Sequence, residues 1–252
     1  MPLTNKTVLV TGASRGIGRA VAIRCAEEGA SVVVHYRNDL AAARESMRLM
    51  KSGRHLLLQA ELGNPDEVEA LVERTVQEFG SLDVVVNNAG IYELHDITLL
   101  TYEQWRDVWR RTLETNLVGP ANLTYCAVQR MMQHGGGKLV NISSRGAFRG
   151  EPVAAAYGAA KAGLNSLGQS MAQALASRAI YVYTIAPGFV ETDMIADLLQ
   201  GPDGEAYRQQ SPMGRTARPE EIANIVLFLA SDGSEYLTGC IIDANGASYL
   251  RT

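Results

Sequence analysis

Two residues of the short segment YGAAK, Tyr157 and Lys161, place a phenol and an ammonium four positions apart. On an α-helix, residues i and i+4 lie on one face, one turn above the other. A free phenol has a pKa of ~10, too high for efficient proton exchange near neutrality. A cation one turn away favours the phenolate and lowers that value. The pair therefore has the composition of a tuned proton donor. The same spacing also arises in any Ala- and Gly-rich helix, so the surrounding segments must decide.

A second chemical signal lies near the N-terminus. TGASRGIG, residues 11–18, follows an apolar run and carries glycines at 12, 16 and 18. This differs from the G-x-G-x-x-G dinucleotide fingerprint, but the physics transfers. Gly12 permits a tight turn. Gly16 and Gly18 let backbone approach a pyrophosphate at a helix N-terminus, where unpaired N–H groups and the dipole favour anions. Glycines between a strand and a helix also serve turn chemistry alone.

The elements that must position these groups alternate along the chain. Residues 7–11, 31–36, 55–60, 82–88, 137–143, 180–186 and 239–244 read as strands. Several are nearly continuous apolar runs, as in parallel strands covered on both faces. Helical patterns fill 16–29, 39–52, 65–79, 102–134, 152–178 and 219–231. In the segment after Tyr157, Leu164, Leu167, Met171 and Leu175 recur at the period of a half-buried helix. The order predicts an α/β fold: one Rossmann-type, doubly wound parallel sheet of about seven strands in a single domain over 1–252. One stretch, 188–218, is irregular and contains Gly201, Pro202, Gly204, Pro212 and Gly214. It is the candidate for a mobile substrate lid.

Composition sets limits. Hydrophobic residues make up 46% of the chain and charged residues 20%, a globular balance. The formal net charge is −4 and no run of like charges occurs, so no nucleic-acid or anionic-membrane surface is expected. Cys25, Cys126 and Cys240 are odd in number and far apart, which fits a reducing, cytoplasmic location. His35, His55, His95 and His134 form no ligand pair, so no metal is expected and each histidine reads as surface or satisfied core. No leader or membrane span is apparent.

Five motifs then occur in order at or just beyond successive strand ends: TGASRGIG, NNAG (87–90), NISS (141–144), YGAAK (157–161) and APG (186–188). With PEEIANIVLFLASDGSEYLTG near the C-terminus, they make the whole chain resemble the short-chain dehydrogenase/reductase family, most of all its β-ketoacyl-acyl carrier protein reductases and their generalist relatives. The resemblance implies hydride transfer between a nicotinamide cofactor and a ketone or secondary alcohol. It implies Tyr157 as proton donor, with Lys161 lowering its pKa and holding the nicotinamide ribose. Ser144 would hydrogen-bond the carbonyl oxygen and stabilise its charge. Asn116 would kink the long helix and position a water in the proton relay; the alternative is an ordinary hydrogen-bonded asparagine. Cofactor contacts are implied for Gly12, Ser14, Arg15, Gly16, Ile17 and Gly18 in the glycine segment. Others fall on Glu61 and Leu62, on Asn88, Ala89 and Gly90, on Tyr157 and Lys161, and on Pro187, Gly188, Val190 and Thr192.

Cofactor choice is read at the end of the second strand. An acidic residue there would bind the ribose hydroxyls of NAD. VVVHYRND instead offers Arg37 and Asn38, while Asp39 reads as a helix cap. Arg15 adds a second cation. A guanidinium fork suits a 2′-phosphate, so NADP(H) is expected, against a reading of Arg37 as a solvated surface arginine.

Three positions depart from the family pattern. Glu61 with Leu62 stands where Asp is usual, Tyr183 where Asn is usual, and Ala247 replaces a second glycine after Gly246. Trp105 and Trp109 read as core or subunit packing. The family pairs this long helix and the one carrying Tyr157 across two-fold axes, so a homotetramer, or a homodimer, is expected. Ala159, Ala160, Gly163 and Ala174 would suit close packing there. A carrier-protein substrate calls for a basic rim. Arg178 meets half of that need, but Gly135 occupies the other usual place with only His134 and Lys138 near it. Arg145 and Arg149 follow Ser144 and would line the substrate cleft, free to meet a carboxylate or phosphate or to stay solvated. The reading is therefore an NADP(H)-dependent carbonyl reductase acting on a small free ketone or β-keto compound. A carrier-protein reductase of fatty-acid synthesis is the alternative within the class. A catalytically silent nucleotide-binding regulator is the alternative outside it, disfavoured by the intact Asn116, Ser144, Tyr157 and Lys161 set.

Overall fold

Strand β1 (Thr7–Val10) is buried along its whole length because it is covered on both faces. Successive side chains of a strand point to opposite sides. Val8 and Val10 join one hydrophobic core with Val32, Val34, Val21 and Val226. Leu9 joins the other with Val33, Val85, Leu71 and Leu123. The sheet thus separates two cores, which is the three-layer arrangement that the apolar runs predict.

The computed structural model describes residues 2–251. After β1 come α1 (Gly16–Glu27), β2 (Ser31–Tyr36), α2 (Leu40–Leu49), β3 (His55–Gln59), α3 (Pro65–Phe79) and β4 (Val84–Asn87). Then follow α4 (Tyr102–Leu113), α5 (Gly119–Met131), β5 (Gly137–Ile142), α6 (Gly146–Arg149), α7 (Ala155–Leu175) and β6 (Ile180–Pro187). Last are α8 (Ala196–Gln200), α9 (Gly204–Gln209), α10 (Pro219–Ala230) and β7 (Ile241–Ala244). All seven strands are parallel, in the order β3-β2-β1-β4-β5-β6-β7. The order reverses between β1 and β4, and a crevice opens at such a switch point beyond the carboxyl ends of the strands.

Local chemistry sets several boundaries. Pro65 opens α3, and the Asn64 side chain caps it by accepting from the Asp66 N–H at 3.1 Å. Asp39 caps α2 in the same way, through the Ala42 N–H at 2.9 Å. The segment 102–134 is not one continuous helix. It is α4, a π-helical turn at Glu114–Val118, then α5. The extra residue of the π turn carries Asn116 inward, where it is fully buried. The segment 152–178 becomes α7 followed by a 3₁₀ turn at Ala176–Arg178. In α7, Leu164 and Leu175 are buried while Leu167 and Met171 are half-buried.

The stretch 188–218 is less irregular than its sequence suggests. A parallel bridge between Val190 and Ala217 closes its base. Between them lie a 3₁₀ turn at Asp193–Ile195 and the short helices α8 and α9. Helices of five and six residues are too short to declare themselves by periodicity.

Two departures from the family pattern have physical accounts. Tyr183 is fully buried, and its hydroxyl lies 3.1 Å from Ser234 Oγ. Lys138 donates to the same Ser234 oxygen at 2.9 Å and to Glu235 at 2.9 Å. Lys138 is therefore buried in an internal network and unavailable to a basic rim. Ala247 sits at φ +59°, in the left-handed region that costs a Cβ-bearing residue about 1 kcal/mol.

Candidate active site

The glycine segment forms a loop fixed from two sides. Gly12 has φ +63°, a turn that most residues avoid. Its N–H donates to His35 Nδ1 at 3.1 Å, and His35 Nε2 lies 3.0 Å from the Ala60 carbonyl. Because Nδ1 accepts, Nε2 carries the proton and donates. Burial pushes this imidazole down to about 4, so the ring is neutral and keeps its accepting nitrogen. On the other side, Asn88 Nδ2 donates to the Thr11 and Gly12 carbonyls at 2.8 and 3.2 Å. The Asn88 and Ala89 N–H groups donate to Thr11 Oγ1 at 2.9 and 3.0 Å. The loop after β4 is thereby locked to the loop after β1.

Arg15 precedes α1 and supplies no side-chain cap, so the first-turn N–H groups remain open to the cleft. Gly18 is held in close packing that its sequence does not reveal. It does not line the cleft; a Cβ there would collide with the Gly12 carbonyl oxygen and the Asn88 amide. Its hydrogen permits helix-to-loop packing rather than approach to an anion.

One cleft of about 360 Å³ gathers most of the expected residues. Gly12, Ser14, Arg15, Gly16, Ile17, Arg37, Asn38, Asn88, Ala89, Gly90, Pro187, Gly188, Val190 and Thr192 line it, together with Ser144, Tyr157 and Lys161. Glu61 and Leu62 do not. Leu62 is buried, and its carbonyl would lie 2.7 Å from a Cβ on Gly119. Glu61 instead reaches Arg37, 3.7 Å from carboxylate to Nε. Arg15 is similarly matched to Asp193, at 3.7 Å. Both cations expected at a 2′-phosphate thus already have a carboxylate neighbour, at half-exposed or exposed positions where such pairs contribute little.

The proton machinery sits at the other end of the cleft. Tyr157 and Ser144 line the cleft together, and Ser144 is near enough to pull the pKa of the Tyr157 phenol down. Ser144 Oγ accepts from the Gly146 N–H at 3.0 Å, which fixes its position. Lys161 is buried, and its Nζ donates to the Ile142 carbonyl at 2.8 Å. Asn116 holds the Ile91 backbone twice: Ile91 N–H to Oδ1 at 2.8 Å and Nδ2 to the Ile91 carbonyl at 2.9 Å. Its side chain is therefore committed to the protein. Asn116 lies behind the cleft wall, 3.2 Å from where a Cβ on Gly90 would be, and Lys161 Nζ is 3.6 Å from the same point.

The expected tuning of Tyr157 by Lys161 differs in the structure. Burial pushes the phenol up to about 12; Ser144 pulls down, and Glu151 and Tyr92 push further up. Lys161 Nζ is 5.7 Å from the phenol ring centroid and directed at Ile142. Desolvation lowers the ammonium itself to about 8. The phenol is held protonated, a donor awaiting a stronger base.

Four site residues escaped the sequence reading. His35 shows only as a polar residue in an apolar strand. Tyr92 stacks edge-on against Tyr157, centroids 5.0 Å apart. Glu151 lines the cleft beside it. His95 is buried and accepts the Ala156 N–H through Nε2 at 3.0 Å, while Nδ1 lies 2.7 Å from the Glu93 carbonyl. It caps α7 at the residue before Tyr157, where Ala154 has no side-chain oxygen to do so. Trp105 packs between His95 and Trp109, with centroids 5.5 Å apart on each side. Among the described residues no group of acidic, histidine or cysteine side chains could hold a metal, and no helix is long and apolar enough to cross a membrane.

A parallel sheet with a glycine loop at its switch point, and a serine, tyrosine and lysine gathered at the far end of one cleft, is a Rossmann-type scaffold. A family model described as enoyl-(acyl carrier protein) reductase, of the short-chain alcohol dehydrogenase type, matches residues 12–246. The chain belongs to the short-chain dehydrogenase/reductase family and is an oxidoreductase of that kind. Its pattern is that of the 3-oxoacyl-acyl-carrier-protein reductases. It is 40% identical to FabG of Staphylococcus aureus over 97% of this chain and 98% of that one. With FabG of Escherichia coli it shares 38% over 99% and 100%. The angucycline C-6 ketoreductase LanV, solved with bound NADP, superposes with TM-score 0.88 and 36% identity, covering 97% of this chain and 95% of that one. A short-chain dehydrogenase/reductase from Mycobacterium ulcerans gives TM-score 0.91 at 31% identity, covering 98% and 91%.

Proposed function

We propose that the protein is a cytoplasmic NADP(H)-dependent carbonyl reductase that acts on small, free ketones and uses Tyr157 as proton donor. The observation that carries this reading is the gathering of Ser144, Tyr157 and, one turn on, buried Lys161 at the end of a cleft that begins in the glycine loop. The cleft fits the cofactor: the uncapped start of α1 offers N–H groups to a pyrophosphate, and Arg37 and Arg15 stand where a 2′-phosphate would end. The bound nicotinamide supplies hydride. Ser144 then holds the carbonyl oxygen as charge develops on it. Tyr157 gives its proton to that oxygen, because an alkoxide is a stronger base than a phenolate. Lys161 offers its charge beside the phenolate left behind and binds the ribose. Asn116, committed to Ile91, fixes the wall behind Gly90. The π turn could present a backbone group to a relay water, but the side chain is spent. Residues 188–218 act as the lid, since Thr192, Asp193, Met194 and Ile195 face the glycine loop across the cleft.

A homotetramer is the proposed assembly; Ala159 and Ala174 are exposed on α7, while Ala160 and Gly163 are already packed inside the protomer. Identity near 40% along the whole length to 3-oxoacyl-acyl-carrier-protein reductases favours a second reading, a carrier-bound 3-oxoacyl substrate. Lys138 is withdrawn from the rim and Arg178 stands without it, which favours the free ketone. The test is NADPH oxidation with a panel of free ketones, with NADH in parallel, and with acetoacetyl-carrier protein against a short thioester mimic. Turnover of free ketones with NADPH supports the proposal. A large preference for the carrier-bound substrate that collapses at high salt contradicts the free-ketone part.

A further inference from the structure

Arg145 is a buried cation without a counter-ion. The residue is 3% exposed, and it makes no ion pair among the described residues. Its Nη2 donates to Gln210 Oε1 at 2.6 Å, and its guanidinium lies 4.5 Å from the Phe189 ring centroid. Arg149 Nη1 donates to the same Gln210 oxygen at 3.3 Å. Two guanidiniums therefore converge on one neutral amide oxygen. The Glu151 carboxylate is paired with Arg149, at 3.6 Å, and not with Arg145. A guanidinium carries five N–H donors, and among the described residues the Arg145 guanidinium makes one hydrogen bond. Burial, then repulsion from Arg149, lowers it to about 10 against a weaker upward pull from Glu151, which is near but makes no ion pair with it, and this leaves it charged at neutral pH. A buried charge is costly unless it is paired.

Its place in the cleft gives this charge a use. Arg145 directly follows Ser144, and consecutive Cα atoms are about 3.8 Å apart. Both residues line the cleft with Tyr157. Gln210, which holds Arg145, belongs to the 188–218 segment and keeps the guanidinium against Phe189.

We propose that Arg145 is the docking group for a carboxylate on the substrate, so that the ketones reduced here are oxo acids. This rests on the carbonyl-reductase reading and narrows it. Ser144 takes the ketone oxygen while Arg145 takes the acid group a few bonds away, through the paired hydrogen bonds that a guanidinium makes with a carboxylate. The carboxylate supplies the missing counter-charge. Arg149 stays with Glu151 and is not required.

The test uses 3-oxobutanoate, 4-oxopentanoate and 5-oxohexanoate, each beside its methyl ester, with NADPH. Wild type should favour at least one acid over its ester by about tenfold or more in kcat/KM. Arg145→Met should cut that acid by about thirtyfold and the ester by less than about threefold. Gln210→Leu, which removes the lid contact but leaves the guanidinium, should keep the preference for the acid. Equal losses on acid and ester in Arg145→Met would make Arg145 a strut for the lid and overturn the proposal. So would a wild-type preference for every ester over its acid, a result that needs no variant. In both cases NADPH oxidation with esters leaves the carbonyl-reductase reading standing. Failure of all six compounds to oxidise NADPH, with turnover of carrier-bound 3-oxoacyl substrate, removes this proposal together with the free-ketone part of that reading, and leaves carbonyl reduction itself standing.

Discussion

Replacing His95 with alanine should uncap the helix that presents Tyr157. His95 is 2% exposed, and its Nε2 accepts the Ala156 N–H at 3.0 Å. Alanine leaves that donor buried and unpaired, at about 1–3 kcal/mol. Loss of the edge-on contact with Trp105, centroids 5.5 Å apart, adds about 0.5–1.5 kcal/mol. The expected destabilisation is therefore about 1.5–4.5 kcal/mol, reaching beyond the usual range for a lost helix cap. Ala156 adjoins Tyr157, so displacement of the first turn of α7 also moves the phenol relative to Ser144. Turnover should fall, while NADPH affinity at the distant glycine loop holds. Urea denaturation measures the first effect, kcat the second, and NADPH fluorescence titration the third. His95→Gln retains an acceptor and should recover part of both losses. A His95→Ala protein within about 0.5 kcal/mol of wild type, with unchanged kcat, would refute the capping argument.

The other expectations test separate parts of the site. Arg37→Ala should weaken NADPH binding by about 1–3 kcal/mol and leave NADH alone, whereas Glu61→Gln, by freeing Arg37 from its neighbour at 3.7 Å, should tighten NADPH by up to about 1 kcal/mol; equal effects on both cofactors would contradict the 2′-phosphate assignment. His35 has its pKa lowered from 6.5 to about 4 on folding. Between those values the unfolded chain binds the proton and the folded one does not, so stability should fall as the pH is lowered from 6.5 to about 4, by on the order of 3 kcal/mol in all. His35→Asn should flatten that dependence in denaturation curves taken from pH 7 to 4, and an unchanged slope would remove His35 as its source. Ala247→Gly should raise stability by about 1 kcal/mol through relief of the φ +59° backbone, and a decrease in urea midpoint would count against strain there.

How much of this could be read from the residues alone depends on the range of each interaction. The seven strands were legible because apolar runs of four to eight residues report burial on both faces. The Pro65 start of α3 and the Asp39 cap of α2 were legible because capping is local. The break at Asn116 was legible only through the family resemblance, because its hydrogen-bond partner, Ile91, lies 25 positions away. The roles of His35 and His95 were not legible, since their partners Gly12 and Ala156 lie 23 and 61 positions distant. Glycine spacing marked the loop between β1 and α1, but the close packing at Gly18 was not legible, since only the fold brings Gly12 and Asn88 against it. The i, i+4 rule put Tyr157 and Lys161 on one face, yet could not foresee that Lys161 would turn to the Ile142 carbonyl. Arg145 and Arg149 look alike in sequence; burial separates them into an unmatched cation and a paired surface one.

The central claim is that Tyr157 protonates a carbonyl oxygen as it receives hydride from NADPH. Single-turnover oxidation of NADPH by wild type and Tyr157→Phe, with the best ketone from the panel, tests it most directly. NADPH affinity should be unchanged within about twofold, because the phenol lies at the far end of the cleft from the Arg37 side that would hold the phosphate. The chemical step should slow by about a hundredfold or more, the scale of general-acid catalysis. A Tyr157→Phe protein that binds NADPH normally and still reduces the ketone at a rate close to wild type would contradict the account.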